Sequence, residues 1–123
     1  MQRDMDLLRT ILLELERHPY DGRWPELSIP GRSEQEISYH VRLLDDAGFV
    51  EAIDLSTLAG ICWRPRRVTY QGHEFLDAAR NDTRWTKAKD IVRSATGTLT
   101  LEGLKLTLEE LLKKSLASAL GGL

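Results

Sequence analysis

The chain has 123 residues, 41% of them hydrophobic and 29% charged, with a formal net charge of −2. That length suits one compact globular domain whose core needs no cross-links, and it argues against a multidomain enzyme. The single cysteine, Cys62, excludes a disulfide framework or a multi-cysteine zinc site and fits a reducing compartment. No apolar run reaches the roughly 18 residues that span a bilayer. Met1-Gln2-Arg3-Asp4 lacks the basic-then-apolar order of a secretory leader, so a cytoplasmic location without a membrane partner is expected. Through Cys62 acidic residues outnumber Lys and Arg twelve to six; beyond it the basic residues lead eleven to seven. A basic surface can therefore sit inside a mildly acidic total.

From Asp4 to Arg17, Met5, Leu8, Ile11, Leu12 and Leu15 recur at steps of three and four, which predicts a first helix. His18-Pro19-Tyr20-Asp21-Gly22 stops it. Pro25 and Pro30 then leave room only for a short extended piece around Leu27–Ile29. Ser33-Glu34-Gln35-Glu36 has the form of a capping box and opens a second helix. Its apolar stripe is Ile37, Val41 and Leu44, with Leu43 and Ala47 beside it, and Gly48 is placed as its left-handed terminator. Phe49 to Asp54 alternates apolar and polar like a strand, Cys62 to Thr69 supplies a second strand, and Leu55 to Ile61 forms the hairpin tip. A third helix carries Phe75, Leu76 and Ala79. A fourth, capped by Asp82, carries Trp85, Ala88, Ile91 and Val92. Thr96-Gly97-Thr98 breaks the chain before a last helix, Leu101 to Leu120, with leucine at 101, 104, 108, 111, 112, 116 and 120.

The order helix, extended piece, capped helix, glycine, hairpin, helix predicts a mainly helical α+β chain. It would hold a winged helix-turn-helix-like domain over 1–80 with a two-stranded wing. A helical extension over 81–123 would pack on that domain or form a dimer interface. Ile37-Ser38-Tyr39-His40-Val41-Arg42-Leu43-Leu44-Asp45-Asp46-Ala47-Gly48-Phe49-Val50 resembles the recognition helix and following strand of bacterial winged helix regulators. Val68 to Leu76 looks like their wing-to-helix junction. Four blocks resemble the bacterial and phage-associated family known as domain of unknown function 2513: Arg3 to Arg9, Glu36 to His40, Gly72 to Asp77, and Asn81 to Trp85. The resemblance implies a winged helix fold and a regulatory role, with no established activity. The chain departs from the pattern in one place: the prolines leave no length for the separate helix that usually precedes the recognition helix.

A DNA-binding reading requires side chains that reach base edges and cations that meet phosphates. Gln35, Ser38, Tyr39 and Arg42 lie off the core stripe of the second helix, although Glu34, Glu36, Asp45 and Asp46 make that helix acidic. Arg64, Arg66 and Arg67 around Pro65 would arm the wing for phosphates or a minor groove, and Arg32 could join them. Proline and charge also protect an edge strand from aggregation, and the same residues fit that purpose. His18, His40 and His73 do not share a metal-ligand spacing, Cys62 has no local base, and no phosphate loop or nucleophile elbow is present. Neither an enzyme nor a cofactor is expected. The leucine-rich last helix must bury its stripe on its own domain or on a second copy. Two functions follow: a small transcriptional regulator of phage or mobile-element origin that binds double-stranded DNA, or a winged helix module that docks a protein partner.

Overall fold

The computed structural model describes residues 1–122. In chain order the elements are α1 (Met5–Glu16), α2 (Glu34–Asp46), β1 (Val50–Asp54), β2 (Trp63–Val68), α3 (Tyr70–Ala79), α4 (Asp82–Thr96) and α5 (Leu101–Gly121). They form two compact units, one from Met1 to Leu76 and the other from Asp77 onward, so the boundary falls within α3.

In the first unit, Asp4 caps α1 by accepting from the amides of Asp6 and Leu7, and Met5, Leu7, Leu8, Ile11, Leu12 and Leu15 are buried. The Ser33 hydroxyl accepts from the Glu36 amide at 3.1 Å while Glu36 reaches back to the Ser33 amide, which completes the capping box of α2. Ile37, Val41 and Leu44 are buried as the periodicity predicts; Leu43 is half-buried and Ala47 exposed. The extended piece expected around Leu27–Ile29 joins no sheet, so the strap from α1 to α2 is irregular, with Ile29 as its buried anchor. No helix stands between α1 and α2.

Gly48, at φ 78°, turns the chain out of α2 into β1, a conformation that glycine adopts without a Cβ penalty. β1 and β2 form an antiparallel hairpin with a bulge. Val50 faces Val68 and Glu51 faces Arg67, but Ala52 faces Pro65, so Arg66 is the extra residue. Proline has no amide to give the ladder, and sheets tolerate it at such irregularities. The bulge shifts the alternation: Pro65 and Val68 are both buried, while Arg64 and Arg67, opposite Ile53 and Glu51, share the outward face. At the tip Thr57 and Gly60 exchange backbone hydrogen bonds of 3.0 and 3.1 Å around Leu58-Ala59. The hairpin is fastened to α3 through Thr69. Its hydroxyl donates to the Gly48 carbonyl at 2.6 Å and accepts from the Gly72 amide at 3.1 Å, and its own amide donates to the Phe49 carbonyl. Phe49 and Phe75 stack beside this junction, with ring centroids 4.9 Å apart.

The second unit is a helical hairpin in which α4 and α5 pack together. Asn81, not Asp82, is the cap of α4: its backbone is extended and its side chain accepts from the Arg84 amide at 2.8 Å. Asp82 lies in the first turn, where its charge suits the positive end of the helix. Trp85, Ala88 and Val92 are buried and Ile91 is exposed, so the buried stripe is narrower than the sequence periodicity implies. Gly97 ends α4 with φ 80°. On α5 only Leu104 and Leu108 of the leucine series are fully buried; Leu112, Leu116 and Leu120 are 40%, 59% and 58% exposed.

Candidate nucleic-acid interface

The residues selected from α2 occupy different environments. Gln35 and Arg42 are at the surface, Tyr39 is half-buried with its ring edge-on to His40, and Ser38 is buried. The Ser38 hydroxyl accepts from the Trp63 amide at 3.1 Å, which fastens the helix to β2 and takes the side chain out of contact with any ligand on the outer face. The Arg42 guanidinium lies 5.8 Å from the centroid of the Trp63 ring. Arg42 also faces Asp54. Hydrogen bonds from the Ser56 hydroxyl and amide are the main cause, and Arg42 a lesser one, of an Asp54 carboxyl held below the usual carboxylate range against its own desolvation.

Arg32 is enclosed by two carboxylates, at 2.7 Å from Asp4 and 3.3 Å from Glu36. It joins the cap of α1 to the capping box of α2 and so belongs to the framework. Desolvation acts to raise the Asp4 carboxyl, but the Arg32 hydrogen bond, the capped amides and the Arg32 charge together lower it. Glu36 is lowered first by the Ser33 amide and then by Arg32. Because these carboxyls titrate lower in the folded than in the unfolded chain, their stabilisation is present above the ordinary carboxylate range and is lost as the pH falls through the folded values. His40 completes the joint. It is 1% exposed, accepts from the Asp4 amide at 2.8 Å through Nε2, and donates through Nδ1 to the Glu36 carbonyl at 2.7 Å.

The three arginines of β2 are separated by the bulge. Arg64 stands 3.7 Å from Glu26 and Arg67 pairs with Glu51 across the strands, both on the outward face of the hairpin. Exposed pairs of this kind hold about 1 kcal/mol or less, so a phosphate can displace either carboxylate at small cost. Arg66 turns elsewhere, with its guanidinium 5.3 Å from the Tyr20 ring centroid and 5.6 Å from that of Trp24. The structure thus brings Arg64 and Arg67 together, leaves Gln35 and Arg42 on the exposed part of α2, and withdraws Arg32, Ser38 and Arg66. The pairing of Tyr20 and Trp24 with Arg66 escaped the sequence reading, since it depends on the path of an irregular strap. A cleft of about 140 Å³ lies between that strap at Pro25–Leu27, the start of α2 and β2 at Trp63–Pro65. The hairpin tip is apolar, with Ile53, Leu55, Leu58 and Ile61 exposed.

Among the described residues no group of His, Cys, Asp and Glu is placed to hold a metal ion, and no helix is long and apolar enough to cross a membrane. The fold and its surface define a mainly helical α+β protein with an arginine-bearing two-stranded hairpin beside a capped helix. Residues 2–98 match a protein family described as hypothetical protein, DUF2513, and the chain belongs to that family. It is also 39% identical to an uncharacterized protein of Haemophilus influenzae over 119 residues, which cover 95% of this chain and all of that protein. No solved structure matches the chain.

Proposed function

We propose that the chain is a winged helix DNA-binding protein, a small cytoplasmic transcriptional regulator of phage or mobile-element origin that acts by binding rather than by catalysis. The observation that supports this reading is the bulge at Arg66, which sets Arg64 and Arg67 side by side on the outward face of the hairpin. In this reading the hairpin carries the phosphate contacts and Gln35 and Arg42 supply what base contact there is. The acidic residues of α2 limit how closely that helix approaches the duplex. The test is fluorescence anisotropy of labelled duplex DNA across a salt series. An Arg64→Ala/Arg67→Ala variant should bind more weakly and flatten the slope of log K against log salt by about 2. An unchanged slope, or no binding by the native chain at low salt, overturns the proposal.

The apolar tip favours a second reading, a protein-interaction module, because Leu58 is fully exposed and Asp54 is the only charged residue from Ala52 to Trp63. A Leu58→Asp variant that loses a protein partner while the native chain ignores DNA would establish it in place of the first.

In either reading a second copy is proposed to dock on α5. Glu109-Glu110-Leu111-Leu112-Lys113-Lys114 reverses its charge about its own centre. An antiparallel pair related by a two-fold axis there sets the acidic residues of one copy against the basic residues of the other, while a parallel pair opposes like charges. Leu112, Leu116 and Leu120 supply the exposed apolar edge. Sedimentation equilibrium should find a dimer that a Leu116→Lys/Leu120→Lys variant weakens at least roughly tenfold, given the apolar area these two side chains would lose. A native chain that sediments as a monomer at every concentration tested rejects this interface.

A further inference from the structure

A second cleft, of about 330 Å³, lies among the end of α1, the strap at His18 and Tyr20, the end of β2 and the first turn of α3. We propose that it binds a phosphoryl oxyanion. The site goes beyond the DNA surface described above, since it is built on Arg66, His18 and His73, none of which lies on the outward face of the hairpin; Arg67 alone borders both.

Arg66 is the centre of the site. The bulge expels it from the strand ladder, and Tyr20 and Trp24 hold its planar guanidinium by their ring faces. Ring faces attract the cation but satisfy its N–H donors poorly, and the Arg66 Nε is buried with no hydrogen-bond partner. The half-buried guanidinium stays charged and borders the cleft, and an oxyanion there supplies the acceptor that the ring faces do not. The remaining groups suit the same ligand. His18, His73 and the Tyr20 hydroxyl can all donate, and Arg67 adds positive charge. Among the described residues, the one carboxylate on the lining, Glu16, lies 3.6 Å from His73 Nδ1. A flat carboxylate is best held by donors in one plane. Donors that arrive from the strap, the strand and the helix surround their ligand, and a tetrahedral phosphate accepts from several directions at once. The phosphate could belong to a small phosphate monoester or to the backbone of a duplex, which offer the same chemistry.

The test is an NMR titration of the full chain with inorganic phosphate, followed on the imidazole resonances of His18 and His73 against a chloride control of equal ionic strength. Saturable shifts at both rings are expected, with the affinity reduced at least roughly tenfold by Arg66→Gln, the loss of one charge-assisted contact. Should Arg66→Gln disturb folding, His18→Ala/His73→Ala changes two exposed residues and should weaken phosphate binding, read by calorimetry, in a folded protein. An Arg64→Ala variant, which weakens the hairpin surface, should leave the phosphate shifts at His18 and His73 in place, which separates failure of this site from failure of that surface. Linear, non-saturating shifts, or binding indifferent to both the Arg66 and histidine variants, overturn the proposal. A short duplex that displaces inorganic phosphate identifies the DNA backbone as the source. Displacement by a phosphate monoester but not by the duplex identifies a small molecule, and either result supports the site.

Discussion

Gly72→Ala should destabilise the first unit by about 3 kcal/mol or more, which for a unit of this size lowers its melting temperature by about 15 °C. A Cβ at this position would lie 2.1 Å from the Phe49 carbonyl oxygen, 2.9 Å from the carbonyl carbon and 2.7 Å from a Val68 methyl. The nearest obstacle is backbone, and that backbone cannot yield cheaply. The Phe49 carbonyl accepts from the Thr69 amide at 3.0 Å, and the Phe49 ring is stacked on Phe75. Relief therefore requires the start of the hairpin to part from α3, breaking the Thr69 bonds as well as the ring contact. Gly103→Ala provides the comparison. There a Cβ would meet the Thr100 hydroxyl, which caps α5, at 2.9 Å and a methyl of the buried Val92 at 3.0 Å, side-chain atoms that yield more than a carbonyl held by the hairpin. Thermal melts followed by circular dichroism and tryptophan fluorescence should show a large loss for Gly72→Ala and a clearly smaller one for Gly103→Ala. Equal tolerance at the two sites would refute the close approach at Gly72.

His40→Ala is the second large effect, with an expected loss of about 2–4 kcal/mol in denaturant unfolding. The imidazole is fully enclosed, and its two nitrogens have fixed roles. An amide must donate, so Nε2 accepts from Asp4; a carbonyl must accept, so the Nδ1–H donates to Glu36. Alanine leaves a cavity and strips the Asp4 amide of its acceptor. Asp4 also caps α1 and holds Arg32, so that cap and two ties from α1 to the α2 side loosen together. The arrangement also explains why His40 is a framework residue: both nitrogens are spent and no ligand can reach them. A loss below about 1 kcal/mol would mean that these bonds contribute little, because one net hydrogen bond accounts for that much.

Most of the elements were legible because their signals are local. The capping box at Ser33–Glu36, the terminator at Gly48, the hairpin and the break at Gly97 each depend on a few adjacent residues, and the structure places them where the chain order predicts. The misplaced cap of α4 was also local in origin. Asn81 and Asp82 are both good caps, and only the backbone path chose between them.

For the proposed interface, the sequence supplied residue types and not their grouping. Arg64, Arg66 and Arg67 read as one basic cluster, yet a one-residue bulge divides them between an outward face and an aromatic cleft. Ser38 and Arg32 read as exposed contacts, yet one is bound to the Trp63 amide and the other lies between Asp4 and Glu36, 28 residues away along the chain and four residues away respectively. Helices, caps and turns arise from hydrogen bonds and steric limits within a few residues, and the linear order of side chains is sufficient to specify them. Which arginines share a face, which hydroxyl is consumed by a strand and which glycine lies under a carbonyl follow from strand register and from contacts between distant segments. One inserted residue in the ladder reverses the direction of every side chain beyond it, so the surface a ligand would meet came into view with the folded chain.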